Sequence, residues 1–163
     1  MRIAGRALLS FFLATACGGP TFDGQVFRSG DLAFRVGPVP PAWHSIEATG
    51  ALLAFRDDDA PATVLVNGRC GLDGDDVPLE ALTHHLFLQF TAREILSQSR
   101  VDLDGRAALR TEMVAELDGV KKHYLVYVLK KDGCVYDFLY VSSGADEGGS
   151  AFERFVRGFG TLT

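Results

Sequence analysis

Residues 95–143 read ILSQSRVDLDGRAALRTEMVAELDGVKKHYLVYVLKKDGCVYDFLYVSS. Four β-rich runs follow one another here. The first three close on Asp-Gly, at Asp104-Gly105, Asp118-Gly119 and Asp132-Gly133. Asp-Gly between such runs is the strongest short-range hairpin signal, because both central residues of a type I′ turn need positive φ. The stretch therefore predicts a four-strand antiparallel meander. Its third and fourth strands are apolar almost without a break, at Tyr124–Leu129 and Val135–Val141. A strand apolar on both sides needs cover on both sides.

The flanking sequence supplies that cover. Upstream, VPLEALTHHLFLQFTAR predicts a helix over Val77–Arg93. Leu79, Leu82, Leu86 and Phe90 form its apolar stripe, widened by Phe87. Asp75 or Asp76 serves as its cap, and Pro78 fits the first turn. Downstream, Phe152, Phe155, Val156 and Phe159 recur at helical spacing over Ser150–Phe159, with Ser150 as cap.

Nearer the start, QVFRSGDLAFRVG predicts two short strands around Ser29-Gly30-Asp31. PVPPAWHSIE follows, where Pro38, Pro40 and Pro41 exclude helix before Trp43. ALLAFRD and ATVLVNG predict two more strands, joined by the turn Asp57-Asp58-Asp59-Ala60-Pro61. The expected fold class is α+β, an antiparallel sheet with helices packed on it.

The first residues are of a different kind. Arg2 and Arg6 precede the apolar run Ala7–Thr15, which is far shorter than the roughly 20 residues a membrane-spanning helix needs. A positive start, a short apolar run and the small residues Ala14-Thr15-Ala16 predict a secretory signal peptide over residues 1–16. Cleavage after Ala16 leaves Cys17 first, followed by a Gly- and Pro-containing tether over 17–24. The domain then runs over 25–163. The three cysteines are Cys17, Cys70 and Cys134. If Cys17 is otherwise occupied, the remaining pair is even and suits a Cys70–Cys134 disulfide in an oxidising compartment. The alternative is two buried, reduced thiols.

Ala14-Thr15-Ala16-Cys17 resembles the lipobox of bacterial lipoproteins. The resemblance implies a diacylglycerol on the sulfur of Cys17, an acylated amino group, and attachment to a membrane through this lipid. Gly18 after the cysteine implies the outer membrane of the cell envelope. One position departs from the commonest pattern: Ala14 stands where leucine is preferred, and Leu13 comes one residue early. Ordinary signal peptidase would cut the same bond, so both routes stay open at this stage.

Composition excludes other classes. The formal net charge of −5 becomes −7 when a leader carrying the two arginines Arg2 and Arg6 is removed. That balance argues against nucleic acid as a partner. Asp73, Asp75 and Asp76 lack the glycine and glutamate spacing of a calcium loop, and they read as helix-start acids. His84 and His85 are consecutive, about 100° apart on a helix, and cannot form an i, i+4 metal pair. His44 and His123 fall in other elements. No Gly-x-Ser-x-Gly, phosphate loop, dinucleotide fingerprint or Cys-x-x-Cys is present. The sequence thus gives no catalytic residue, cofactor or metal, and the expectation is a protein that is not an enzyme.

The order of elements resembles the Mog1/PsbP-like α/β/α sandwich. A Phe-Arg-Val strand leads into a Pro-rich stretch and Trp43, a helix sits mid-chain, LDGRAAL begins the meander, and a Phe-rich helix closes it. The resemblance implies a domain that binds other proteins, by a sheet edge or an acidic face. The alternative is a lipoprotein that carries a small ligand in a cleft between sheet and helix. A large apolar cleft would favour the carrier, and a filled core would exclude it.

Overall fold

The computed structural model describes residues 19–71, 76–144 and 148–162. Among these residues eleven strands and two helices follow in chain order. They are β1 (Thr21–Phe22), β2 (Val26–Ser29), β3 (Leu32–Arg35), β4 (Trp43–Ser45), β5 (Leu53–Asp57) and β6 (Ala62–Cys70), then α1 (Leu79–Leu86). The second half holds β7 (Thr91–Leu103), β8 (Arg106–Leu117), β9 (Val120–Lys131), β10 (Cys134–Ser142), α2 (Gly149–Arg157) and β11 (Gly160–Thr161).

The meander forms as its turns dictate. Asp104, Asp118 and Asp132 each take φ of 52°, and the glycines after them take 72°, 77° and 72°. Side-by-side pairing then gives the run β10-β9-β8-β7, and β6, β5 and β4 extend it into a seven-stranded antiparallel sheet. A second, four-stranded sheet of order β1-β2-β3-β11 stands apart from it.

Strand alternation splits the apolar runs between two cores. Leu125, Tyr127, Leu129, Tyr136, Phe138 and Tyr140 face the small sheet and α2, where Phe34, Phe152, Phe155 and Phe159 meet them. Tyr124, Val126, Val128 and Val135 face α1 together with Leu79 and Phe87. The apolar runs on β9 and β10 are thus covered from both sides. The cover differs on the two sides: α1 and the turn after it on one, α2 plus the small sheet on the other.

Several boundaries differ from expectation. The first helix ends at Leu86 and not at Arg93. Phe87 and Phe90 leave it and stack edge-on against the Tyr124 ring, at centroid distances of 5.2 and 5.4 Å. Their burial is met without helix, and Thr91 is free to start β7. Pro78 is the N-cap of α1, with no side-chain cap bond, so Asp76 does not cap it. Gly148, not Ser150, is the N-cap of α2. Thr21 and Phe22, expected in the tether, pair with Arg28 and Phe27, and Phe22 packs on the core. Cys17, the Ala16 cleavage site, Asp73 and Asp75 lie outside the described residues.

Cys70 and Cys134 are joined by a disulfide. They face each other across β6 and β10, where the register from Thr63↔Val141 to Cys70↔Cys134 is unbroken.

A carboxyl group of β10 is buried within the main sheet. Asp137 on β10 is fully buried on the α1 side. Asn67 donates to its Oδ2 at 2.6 Å, and the Arg69 guanidinium lies 3.0 Å from Oδ1. Burial pushes its carboxyl above the usual carboxylate range, against the pull of Asn67 and Arg69. The folded chain therefore holds this proton more tightly than the unfolded chain. The stability it contributes is fully present below the unfolded value of about pH 4 and is lost as pH rises through the folded pKa. Asp137→Asn removes this dependence. The stability of the variant relative to the parent, read from urea midpoints, should rise with pH from about 4 upward. A difference that stays flat between about pH 4 and 7 would contradict the assignment.

Candidate functional site

Two features lie at the surface, each lined in part by side chains of the cores. The first is a polar cleft of about 270 Å3 between the meander and the start of α2, lined by Arg110, Glu112, His123, Tyr140, Ser150 and Glu153 among others. Counting back from the Asp118-Gly119 turn sets His123 opposite Val114, on the same side as Glu112. That diagonal brings His123 Nε2 to 3.3 Å from Glu112 Oε1, an ion-pair distance that leaves the nitrogen without an aligned hydrogen bond. The sequence does contain the signal for this pair, but only once the two-residue turn is used to count register.

Arg110 Nε donates to Glu153 Oε1 at 3.0 Å, and the Tyr127 hydroxyl donates to the same oxygen at 3.2 Å. Burial, followed by the Glu153 charge, holds the Tyr127 hydroxyl above its ordinary pKa. The Arg110 charge is thus already matched by Glu153 and, at 3.5 Å, by Glu112. Ser97 Oγ donates to Glu112 Oε2 at 3.3 Å. A nucleophilic serine needs its hydroxyl on the base. Here the hydroxyl and the imidazole both approach the carboxylate, so the three residues do not form a triad.

The other histidines are dispersed. His44 lies 3.2 Å from Asp58 on the surface. His84 and His85 are exposed on α1, off its buried side, and Arg93 reaches the His84 ring at 3.2 Å. Among the described residues, no three His, Cys, Asp or Glu side chains converge on a point that would hold a metal ion.

The second feature is the outer edge of β7. Among the described residues it pairs only with β8, and its first ten residues are exposed. Ile95 and Leu96 are 60% and 49% exposed, and Leu88 nearby is 56% exposed. An open groove of about 310 Å3 runs between this strand and α1, lined by Thr83, Phe87, Ile95 and Met113 among others. A bulge at Thr91–Ser97, with Ala92 at φ 46°, twists the start of the strand. From Ser97 to Leu103 the register is regular.

No family model and no curated protein matches the chain. Solved structures do. The cyanobacterial PsbP of Synechocystis aligns at a TM-score of 0.55 and 15% identity, over 91% of this chain and 99% of its own. The Saccharomyces cerevisiae Ran-binding protein Mog1p aligns at 0.51 and 13%, over 80% of this chain and 90% of its own. The fold is Mog1/PsbP-like. LpqN of Mycobacterium tuberculosis, involved in cell envelope biogenesis, shares this Mog1/PsbP-like fold at 0.53 and 13%, over 88% of this chain and 90% of its own. A Bacteroides thetaiotaomicron protein aligns at 0.58 and 12%, and there the chain spans half the length of its relative. A Mog1/PsbP-like fold at such identities fixes architecture and not activity. No helix among the described residues is long and apolar enough to cross a membrane.

Proposed function

We propose that this chain is a cell-envelope lipoprotein, anchored through Cys17 in the outer membrane, whose domain is a protein-interaction module without catalytic activity. The observation that carries the module reading is β7, a 13-residue edge strand with exposed backbone and apolar side chains. Such an edge binds extended segments by adding a strand, with backbone hydrogen bonds for affinity and neighbouring pockets for specificity. The similarity to a Ran-binding protein and to a protein of cell envelope biogenesis supports the same reading. A small-ligand carrier is less well supported, because both sides of the main sheet are filled by side chains. Five clefts among the described residues are open grooves of about 260–410 Å3.

The anchor is tested by fractionation and peptide mass. Wild-type protein should partition with membranes and yield an N-terminal peptide that begins at Cys17 and carries the mass of acyl chains. Cys17→Ser should move it to the soluble fraction. A wild-type chain that is water-soluble and unacylated would refute the anchor. Crosslinking of the membrane-bound protein tests the module. A β7 edge that recovers no protein under any condition counts against it.

A further inference from the structure

The regular half of β7, from Ser97 to Leu103, carries Arg100 and Asp102 on one side of the sheet. We propose that two copies of this chain pair β7 against β7, antiparallel and centred on Val101, joining two seven-stranded sheets into one. This rests on β7 being a docking edge and commits to what docks there.

Between Ser97 and Leu103, alternation puts Gln98, Arg100 and Asp102 on the α1 side of the sheet, opposite Thr111, Leu109 and Ala107 of β8. Ser99, Val101 and Leu103 point to the other side. A two-fold axis perpendicular to the sheet keeps the two sides aligned and sets one residue against itself. Centring on Arg100 stacks two arginines, and centring on Asp102 stacks two aspartates. Like charges directly opposite are destabilising. Centring on Ser99 sets Arg100 against Gln98. Centring on Val101 sets Arg100 of each copy against Asp102 of the other, twice, with valine on valine on the opposite side of the sheet. Arg100 is already steered to this side by Glu80 of α1, at 2.9 Å. The bulge that guards the start of the edge lies outside the paired span.

The register is testable by crosslinking on the full chain in its own membranes. Residues on the axis have Cα atoms about 4.5–5.5 Å apart, within disulfide reach. Val101→Cys should therefore link to itself under mild oxidation and give a dimer on a non-reducing gel. Ser97→Cys sits about 26 Å from its own copy in this register and should not link. Asp102→Arg in the Val101→Cys background should cut the dimer about fivefold, by placing like charges opposite each other. Arg100→Asp with Asp102→Arg should restore it. No Val101→Cys dimer, equal linking of Val101→Cys and Ser97→Cys, or no recovery in the charge swap would each overturn the proposal. If Val101→Cys does not self-link while crosslinking still captures another protein on β7, the docking reading stands and self-association falls.

Discussion

Replacing Cys70 and Cys134 together with alanine should lower the stability of the domain by about 4 kcal/mol. The bridge closes a loop of 64 residues in sequence separation, and chain-entropy theory gives about 4 kcal/mol for a loop of that length. The loop holds α1 and β7 to β9, so the bridge limits the unfolded freedom of three of the meander's four strands. Its position adds to this. Cys70 and Cys134 lie at one end of the β6–β10 ladder, with the Gly71 N–H to Gly133 carbonyl bond of 3.2 Å just beyond. Domains of ordinary stability hold only about 5–15 kcal/mol in total. The urea midpoint under oxidising conditions should fall accordingly, and treatment of the wild type with reductant should reproduce the shift. A loss below about 1 kcal/mol would mean that the reduced unfolded chain is already compact.

Gly158→Ala should cost about 3 kcal/mol, a large value for a single methyl group. The α2 terminus and the chain leaving β3 meet backbone to backbone at Gly37 and Gly158. A Cβ on Gly158 would fall on Gly37, and a Cβ on Gly37 would fall on the backbone of Arg154 and Phe155. Between them the Gly37 N–H donates to the Phe155 carbonyl at 2.7 Å. No flexible side chain stands there to give way. Pushing these segments apart breaks that bond and loosens Phe155 from Trp43 and Phe55, whose rings lie 5.3 and 5.9 Å away. Gly149→Ala is the control, because nothing lies within 4 Å of its added methyl. It should leave the thermal midpoint unchanged or slightly raised, since alanine favours helix over glycine. Equal effects at both positions would refute the close approach.

The parts of this fold that were legible in the sequence are those with local causes. The three Asp-Gly turns determine their own backbone, and strand alternation then assigns every residue of β8 to β10 to a side. The Cys70–Cys134 pairing was one of two readings of the cysteine count, reached by setting Cys17 aside, and the bridge is present. The misread parts have long-range causes. The apolar stripe from Leu79 to Phe90 keeps helical spacing to its end, yet Phe87 and Phe90 satisfy it by packing on Tyr124 from a turn. β1 and β11 are two residues each and exist only through their partners β2 and β3. The separation of the hairpin β2–β3 into its own sheet has no local signal either. At the candidate sites, the exposure of β7 depends on what fails to cover it, which no window of sequence reports. The His123–Glu112 pair lies between these cases, because one turn suffices to count it.

The covering of the larger core by α2 and β11 has a consequence for the order of events in synthesis. Phe152, Phe155, Val156 and Phe159 enter that core, β11 pairs with Phe34 and Arg35 of β3, and the Leu162 N–H donates to the Ala33 carbonyl. The earliest and latest described strands therefore share one small sheet. A growing chain can zip its meander turn by turn, but it cannot dry one side of it until about residue 160 has been made. The domain completes itself only when its two ends meet.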